Sequence, residues 1–254
     1  RVVDDDSPAA GSGAAVARRK RAGRPEVGQA WCIGRMTEKI QSLTKELVSR
    51  DVGRRLSAAD TLCRLVQGAE EAHIIAEMLP CLRALGSCIR DEDAGICSAA
   101  LGAFRNIAES GRAQAVSAQI TELPCCLRSA DVSIRRKACS LCRCLAESGE
   151  ASCITRFVPQ LVECLEATEP VLRVAPLDVF CALVDFGEVK AVVQGALLPI
   201  LQSFRDENPL VRVGVLEALA AIVRQDSASI LHKLADANCA MPASNGQRDK
   251  ESIE

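Results

Sequence analysis

Residues 211–222 read Val-Arg-Val-Gly-Val-Leu-Glu-Ala-Leu-Ala-Ala-Ile, and this stretch carries the pattern that decides the fold. Counted from 0 at Val211, its apolar residues at positions 0, 4, 8 and 11 share one side of an α-helix. Four more segments, 54–65, 96–107, 134–145 and 172–183, align with it as rows. The position 8 anchors, spaced 42, 38, 38 and 39 residues apart, are Leu62, Phe104, Cys142, Phe180 and Leu219. A period of about 40 residues predicts a solenoid of about five helical repeats.

A second helical segment precedes four of the rows and carries an aliphatic residue followed by proline. The pairs are Leu79-Pro80, Leu123-Pro124, Val158-Pro159 and Leu198-Pro199. Proline lacks an amide hydrogen, so each one occupies a first helical turn or kinks a longer helix. A glycine follows four rows, where helices commonly end in the left-handed conformation. These glycines are Gly68, Gly111, Gly149 and Gly187. The predicted repeat is therefore helix, short loop, helix.

Charged residues also recur once per repeat. The loop before each row holds an acid that can cap the free amides of the following helix. These acids are Asp51, Asp91, Asp131, Glu169 and Asp206. An arginine occupies row position 1 in four rows, and Cys97 replaces it in row two. The four arginines are Arg55, Arg135, Arg173 and Arg212.

Two families resemble this pattern. Leu198-Pro-Ile-Leu, Asp206-Glu-Asn-Pro-Leu-Val-Arg212 and Ala218-Leu-Ala-Ala-Ile222 resemble a HEAT repeat. Ala103-Phe-Arg-Asn-Ile-Ala108, followed by Gly111, resembles an armadillo repeat. The resemblance covers roughly residues 36–235 and implies an all-α, right-handed α-solenoid whose loop acids and arginines form a ladder along the stack. Pro176 in row four departs from the pattern, so we expect a disrupted or kinked helix there and a bend in the solenoid.

The chain divides into a repeat domain and two tails. We expect disordered tails at residues 1–28 and 239–254, because they are polar and lack an apolar period. The repeat domain spans 29–238, with repeats at about 36–68, 69–111, 112–149, 150–187 and 188–226 and a capping helix at 228–238. The basic cluster Arg18–Arg21 is interpreted as part of a solvated tail or as a nuclear-import signal.

Composition narrows the class of protein. The 254 residues include fourteen Cys, two His, one Trp and no Tyr. Most cysteines stand singly in apolar helical patterns, which favours a reducing compartment, the cytoplasm or the nucleus. A net charge of −2 disfavours a nucleic-acid binder, and no stretch is long and apolar enough for a membrane span. Cys139, Cys142 and Cys144 are possible zinc ligands, but sulfurs of a CxxC in mid-helix point about 300° apart, so packing is the favoured role.

No catalytic motif is present in the sequence. His73 and His232 lie at opposite ends of the array, and the acids are distributed one per loop. We therefore expect no enzyme, no cofactor and no small-molecule substrate. The predicted function is a protein interaction scaffold or adaptor, as one subunit of a larger assembly.

The resemblance implies that row positions 6 and 10 face solvent on the concave side. Position 6 holds three acids, so we expect a groove for a basic extended or helical segment of a partner protein. The predicted partner-binding residues are Asp60, Arg64, Asn106, Asp178 and Glu217. In importin-α, which the repeats resemble, these rows are rich in Trp and Asn, and only Asn106 matches, so nuclear-signal recognition of that type is not expected.

Repeat three is locally basic and suits an acidic partner such as tubulin or RNA; its basic residues are Arg128, Arg135, Arg136, Lys137 and Arg143. The alternative function is a tubulin-binding array of the TOG type, built from HEAT repeats. Such arrays carry Trp in the first loop, whereas this loop reads Ser49-Arg-Asp-Val-Gly53.

Overall fold

The computed structural model describes residues 27–67 and 73–225, with side chains for 37–65 and 78–225. Within these ranges the chain forms α-helices and short helical turns, and no strand. The helices are α1 (Val27–Leu47), α2 (Val52–Gln67), α3 (His73–Cys88), α4 (Ala94–Ile107), α5 (Ala113–Ser117), α6 (Leu123–Leu127), α7 (Val132–Leu145), α8 (Ala151–Ile154), α9 (Val158–Leu165), α10 (Pro170–Asp185), α11 (Val189–Gly195), α12 (Leu197–Gln202) and α13 (Pro209–Gln225). Gly68, the Arg18–Arg21 cluster, the predicted capping helix at 228–238 and the tail at 239–254 lie outside the described residues. Helix α1 begins at Val27, two residues inside the predicted N-terminal tail.

The five rows all lie in long helices that stack in sequence order. Helix α2 packs on α4, α4 on α7, α7 on α10 and α10 on α13. We call these five helices the second-helix layer, because each is the last helix of its repeat. Helices α1 and α3 pack on each other beside it, as do α6 and α9. The predicted all-α solenoid is confirmed.

The first half of each repeat differs from the predicted single helix in repeats three to five. There the chain makes two short helices, α5 and α6, α8 and α9, and α11 and α12, before the long one. Pro124 and Pro159 stand in the first turns of α6 and α9, and Pro199 is the third residue of α12. In repeat two, by contrast, Pro80 lies inside the continuous helix α3. Each of repeats three to five therefore contains three helices.

Glycines turn the chain between repeats. Gly111, Gly149 and Gly187 have φ values of 82°, 89° and 95°, the left-handed conformation that the sequence predicted. At Gly111 and Gly149 the chain passes directly into α5 and α8. Successive glycines are 38 residues apart, and each turns the chain at a repeat boundary with a similar φ.

The core consists mainly of small and aliphatic side chains, with a few phenylalanines, from the second-helix layer and from the helices packed beside it. The anchors Leu62, Phe104, Cys142 and Phe180 are fully buried, and Leu219 is partly buried. Glycine permits close packing of α13 on α10, because a β-carbon at Gly214 would lie only 3.0 Å from Leu177 Cδ1. Helix α10 runs through Pro176 without a break, from Pro170 to Asp185, with Pro176 buried, so the expected disruption is wrong, while the expected kink and the bend of the solenoid stay predictions. Pro176 has no amide hydrogen to donate to the carbonyl of Leu172.

Candidate functional site

Arginines of the second-helix layer join three of the repeats to the repeat that follows. Arg55 Nε lies 2.7 Å from Asp91 Oδ2, and Arg173 Nε lies 2.6 Å from Asp206 Oδ2. In both pairs the second carboxylate oxygen accepts from Nη2 at 3.0 Å. In the Arg173 pair Nε also donates a hydrogen bond to Asp206 Oδ2, so that contact is bidentate. Arg135 makes a looser contact of 3.7 Å with Glu169. The predicted ladder therefore exists, and its role is to join adjacent repeats.

The loop acids occupy two different structural positions, which corrects the alignment made from sequence. Asp51 and Asp131 precede their helices and accept from the amides of Arg54 and Ile134. Asp91 and Asp206 lie two residues further upstream, where they bind the arginines of the preceding repeat. In those two repeats the helix cap comes from Asp93, which accepts from Ile96 N, and Asn208, which accepts from Leu210 N. Ladder and cap are thus separate tasks.

A thiol pair replaces the missing arginine in repeat two. Cys97 Sγ lies 3.6 Å from Cys126 Sγ and 3.2 Å from the carbonyl oxygen of Ile89, and both cysteines are buried. Ser129 stands where Asp91 and Asp206 stand in their own loops, and its hydroxyl accepts from Asp131 N. The arginine and its acid are therefore both absent from this junction.

The three cysteines that the sequence offers as possible zinc ligands lie in different surroundings. Cys139, Cys142 and Cys144 are all buried. Cys139 interacts with Cys164, which together with burial raises the pKa of the Cys139 thiol, and Cys144 Sγ faces the carbonyl of Arg105 at 3.8 Å. Within the described part of the chain no group of three or more His, Cys, Asp or Glu is arranged to hold a metal ion.

No described helix is long and apolar enough to cross a bilayer.

The structure separates the predicted partner-binding residues into two ends of the second-helix layer. At the α2 end, Asp60 and Arg64 are exposed, and Arg64 Nε lies 3.4 Å from the main-chain oxygen of Asp60. Asn106 on α4 is half-buried, and its Nδ2 lies 2.6 Å from Cys63 Sγ, which occupies part of its hydrogen-bonding capacity.

Asp178 and Glu217 lie at the other end, on α10 and α13. Glu217 is exposed. Asp178 is half-buried, and desolvation raises the pKa of its carboxyl although Arg143 Nη1 lies 3.6 Å away. The expectation that position 10 faces solvent is wrong for the last three rows, because Cys144, Ala182 and Ala221 are buried.

Between these two ends the layer is basic. Arg136 and Lys137 on α7 are exposed, as are Arg105 on α4 and Arg143. Arg105 is paired with Glu109 at 2.8 Å and Arg143 with Glu147 at 2.7 Å. Lys137 Nζ donates to the uncharged Ser98 hydroxyl, and Arg136 makes no ion pair among the described residues. The middle of the layer therefore carries two uncompensated positive charges.

Two depressions open beside these cations. One has a volume of about 620 Å³ and extends from Arg105 across α7 to Val171. The other, of about 320 Å³, lies between α7 and α10, and both share Arg136, Ser140 and Val171. The remaining members of the basic surface predicted from sequence lie elsewhere: Arg128 binds Glu163 at 2.6 Å and Arg135 belongs to the ladder. Arg105 was missed because it stands one repeat earlier in the sequence.

Comparison with known proteins decides the fold class. No protein-family model matches the chain, and no curated protein matches it. Among solved structures, a designed armadillo repeat protein superposes with a TM-score of 0.62 at 19% identity, covering 78% of this chain and 87% of the other. The fold is that of an armadillo/HEAT-type α-solenoid. An engineered protein gives 0.64 at 19% identity, covering 78% and 85%, and a designed armadillo repeat protein in complex with peptide (KR)4 gives 0.65 at 18%, covering 78% and 87%.

Proposed function

We propose that this armadillo-type solenoid is a non-enzymatic scaffold that binds a segment of a partner polypeptide along the exposed side of its second-helix layer. The observation that carries the proposal is the pair of adjoining depressions that cross this layer at Arg136, Ser140 and Val171. Together they form a shallow track over α4, α7 and α10, lined by polar and aliphatic side chains. A track that crosses several repeats suits an extended or helical segment better than a small molecule.

The chemistry of the layer supports a binding role. Its exposed groups are arginines, a lysine, carboxylates and aliphatic side chains, and no acid, base and nucleophile converge there among the described residues. Structural likeness adds support, since one similar designed armadillo repeat protein was solved with peptide (KR)4. We propose a reducing compartment, the cytoplasm or the nucleus, for this interaction, and a place for the chain within a larger assembly.

Acidic groups at the two ends of the layer would meet basic side chains of the partner. Asp60 and Glu217 are exposed and make no ion pair with another described residue. Asp178 is a weaker contact point, because Arg143 already lies within 3.6 Å of its carboxylate. The sequence predicted a basic partner segment. We now propose basic side chains only at the two ends of that segment, where Asp60 and Glu217 would meet them.

A peptide library provides the test. Random twelve-residue peptides displayed on phage are selected on the full chain, and the affinities of the selected peptides are measured by fluorescence anisotropy. We expect the double variant D60K/E217K to weaken binding of peptides with basic ends at least tenfold, since each reversal replaces attraction by repulsion. The variant E150K/E188K, which changes the same charges outside the layer, is the control. Selection of no peptide would contradict the proposal, and a tubulin co-sedimentation assay separates it from the TOG alternative.

A further inference from the structure

The geometry points to a specific partner chemistry at the middle of the second-helix layer: Arg136 and Lys137 bind an acidic side chain of the partner segment, next to an aliphatic one that contacts Val171. This inference rests on the proposed function and assigns the charge pattern that the middle of the track recognises. It differs from the basic segment expected from the sequence.

Two cations in the middle of the second-helix layer have no carboxylate partner among the described residues. Of the four cations on this part of the layer, Arg105 and Arg143 have carboxylate partners within 2.8 Å, Glu109 and Glu147, in the helical turns that follow α4 and α7. Arg136 and Lys137 have none among the described residues. Their side chains are adjacent in sequence and both line the 620 Å³ depression. An acidic group there would gain two charge-assisted contacts without displacing an existing ion pair.

The larger depression also contains a carboxylate, that of Asp131. Among the described residues, Asp131 is the one carboxylate lining the larger depression, and its Oδ1 accepts from the main-chain amides of Ser133 and Ile134 at the start of α7. Its charge is thus directed at the helix N-terminus. Asp178 lines the smaller depression, where Arg143 Nη1 already lies 3.6 Å from its carboxylate. The larger depression therefore keeps an excess of positive charge.

Valine side chains form an apolar wall in both depressions. Val132 and Val171 line the larger depression and Val171 and Val174 the smaller one. Val171 is 43% exposed, so its side chain offers apolar area that a partner can cover. Alternating cationic and aliphatic surface matches a polypeptide that carries an acidic residue beside an aliphatic one.

The same features disfavour a nucleic acid. Phosphate recognition needs many cations on one face, whereas this face carries two that are uncompensated and the chain has a net charge of −2. Single-stranded nucleic acids also need aromatic side chains for stacking. Among the described residues, no aromatic side chain lines either depression.

The test uses the peptides selected on the full chain. We expect enrichment of Asp or Glu beside Val, Leu or Ile, and we expect the paired variant R136E/K137E to weaken their binding at least tenfold. Replacing the peptide's acid by its amide should cause a loss of similar size on wild-type protein and little further loss on the variant. The matched control R83E/K190E makes the same charge change on exposed residues of α3 and α11 and should leave affinity unchanged.

Each outcome has one meaning. Selected peptides without acids, unchanged affinity of R136E/K137E, or tighter binding of a 20-nucleotide single-stranded RNA than of the acidic peptide would overturn this inference. If such peptides still bind along the second-helix layer, the proposed function stands. If no peptide is selected, both fail. Circular dichroism verifies that each variant is folded, and the milder pair R136Q/K137Q, with an expected loss of about threefold, replaces the charge reversal if that variant unfolds.

Discussion

Arg173 on α10 reaches across a repeat boundary to Asp206, with Nε 2.6 Å from one carboxylate oxygen and Nη2 3.0 Å from the other. Its Nη1 also donates to the carbonyls of Ala167 and Thr168 at 2.8 Å. One side chain therefore fixes the loop that starts its own helix and the loop that starts the next.

Removing this clasp should destabilise the solenoid. We expect Arg173→Gln to lower the free energy of unfolding by about 2 kcal/mol, since the side chains of Arg173 and Asp206 are only 17% and 10% exposed. Arg128→Gln is the control, because Arg128 binds Glu163 at a similar 2.6 Å while both remain about half exposed. Urea unfolding followed by circular dichroism measures both. An equal loss in the two variants would show that burial of the clasp adds nothing.

The clasp also makes stability depend on pH. Hydrogen bonding to Arg173 holds the pKa of Asp206 below its ordinary value of 3.8. The stabilisation is therefore present above that ordinary value and is lost as the pH falls through the lower pKa of the folded state. We expect Asp206→Asn to reduce the melting temperature at pH 7 and to reduce it less below pH 3.8. A difference that stays constant over that range would contradict this assignment.

Two glycines should respond to alanine in opposite directions. Gly149 has a φ of 89°, so Gly149→Ala is expected to cost about 1 kcal/mol of stability through backbone strain. Gly102 lies within helix α4, and a β-carbon there meets nothing within 4 Å. Gly102→Ala should raise stability by up to about 1 kcal/mol. Thermal unfolding of the two variants compares the signs directly, and a loss at Gly102 would show an unseen contact.

Cysteine reactivity should follow exposure. Cys125 is exposed, whereas Cys81 is buried and desolvation raises the pKa of its thiol to about 11. At pH 8 we expect iodoacetamide to modify Cys125 in the folded protein and to modify Cys81 only after unfolding, since the thiolate is the reactive form. Peptide mapping by mass spectrometry measures each site. Equal labelling of the two cysteines in the folded state would mean that the α3 region opens readily.

The repeat period, the row helices and the left-handed glycines could all be predicted from sequence, because each depends on local spacing. The split of the first helix could not, since Pro80 continues a helix and Pro124 starts one. The sequence also could not predict which acid caps a helix and which one pairs with an arginine. Asp91 and Asp93 are the same residue type and differ only in their position in the loop.

The candidate site was harder to predict than the fold. Asp60 and Glu217 are exposed as expected, but the charge at the middle depends on which cations are already paired. Arg135 and Arg136 are neighbours in sequence, yet one clasps Glu169 and the other faces the depression. Pairing between repeats about 35 residues apart is a tertiary property that no local pattern reveals.

Photo-crosslinking tests the central claim, binding along the second-helix layer, most directly. A selected peptide with benzoylphenylalanine at its centre is irradiated with the full chain, and the crosslinked residues are identified by mass spectrometry. We expect crosslinks in α7 and α10, around Arg136 and Val171. Crosslinks confined to the first helices of the repeats, such as α8, α9 and α11, would contradict it.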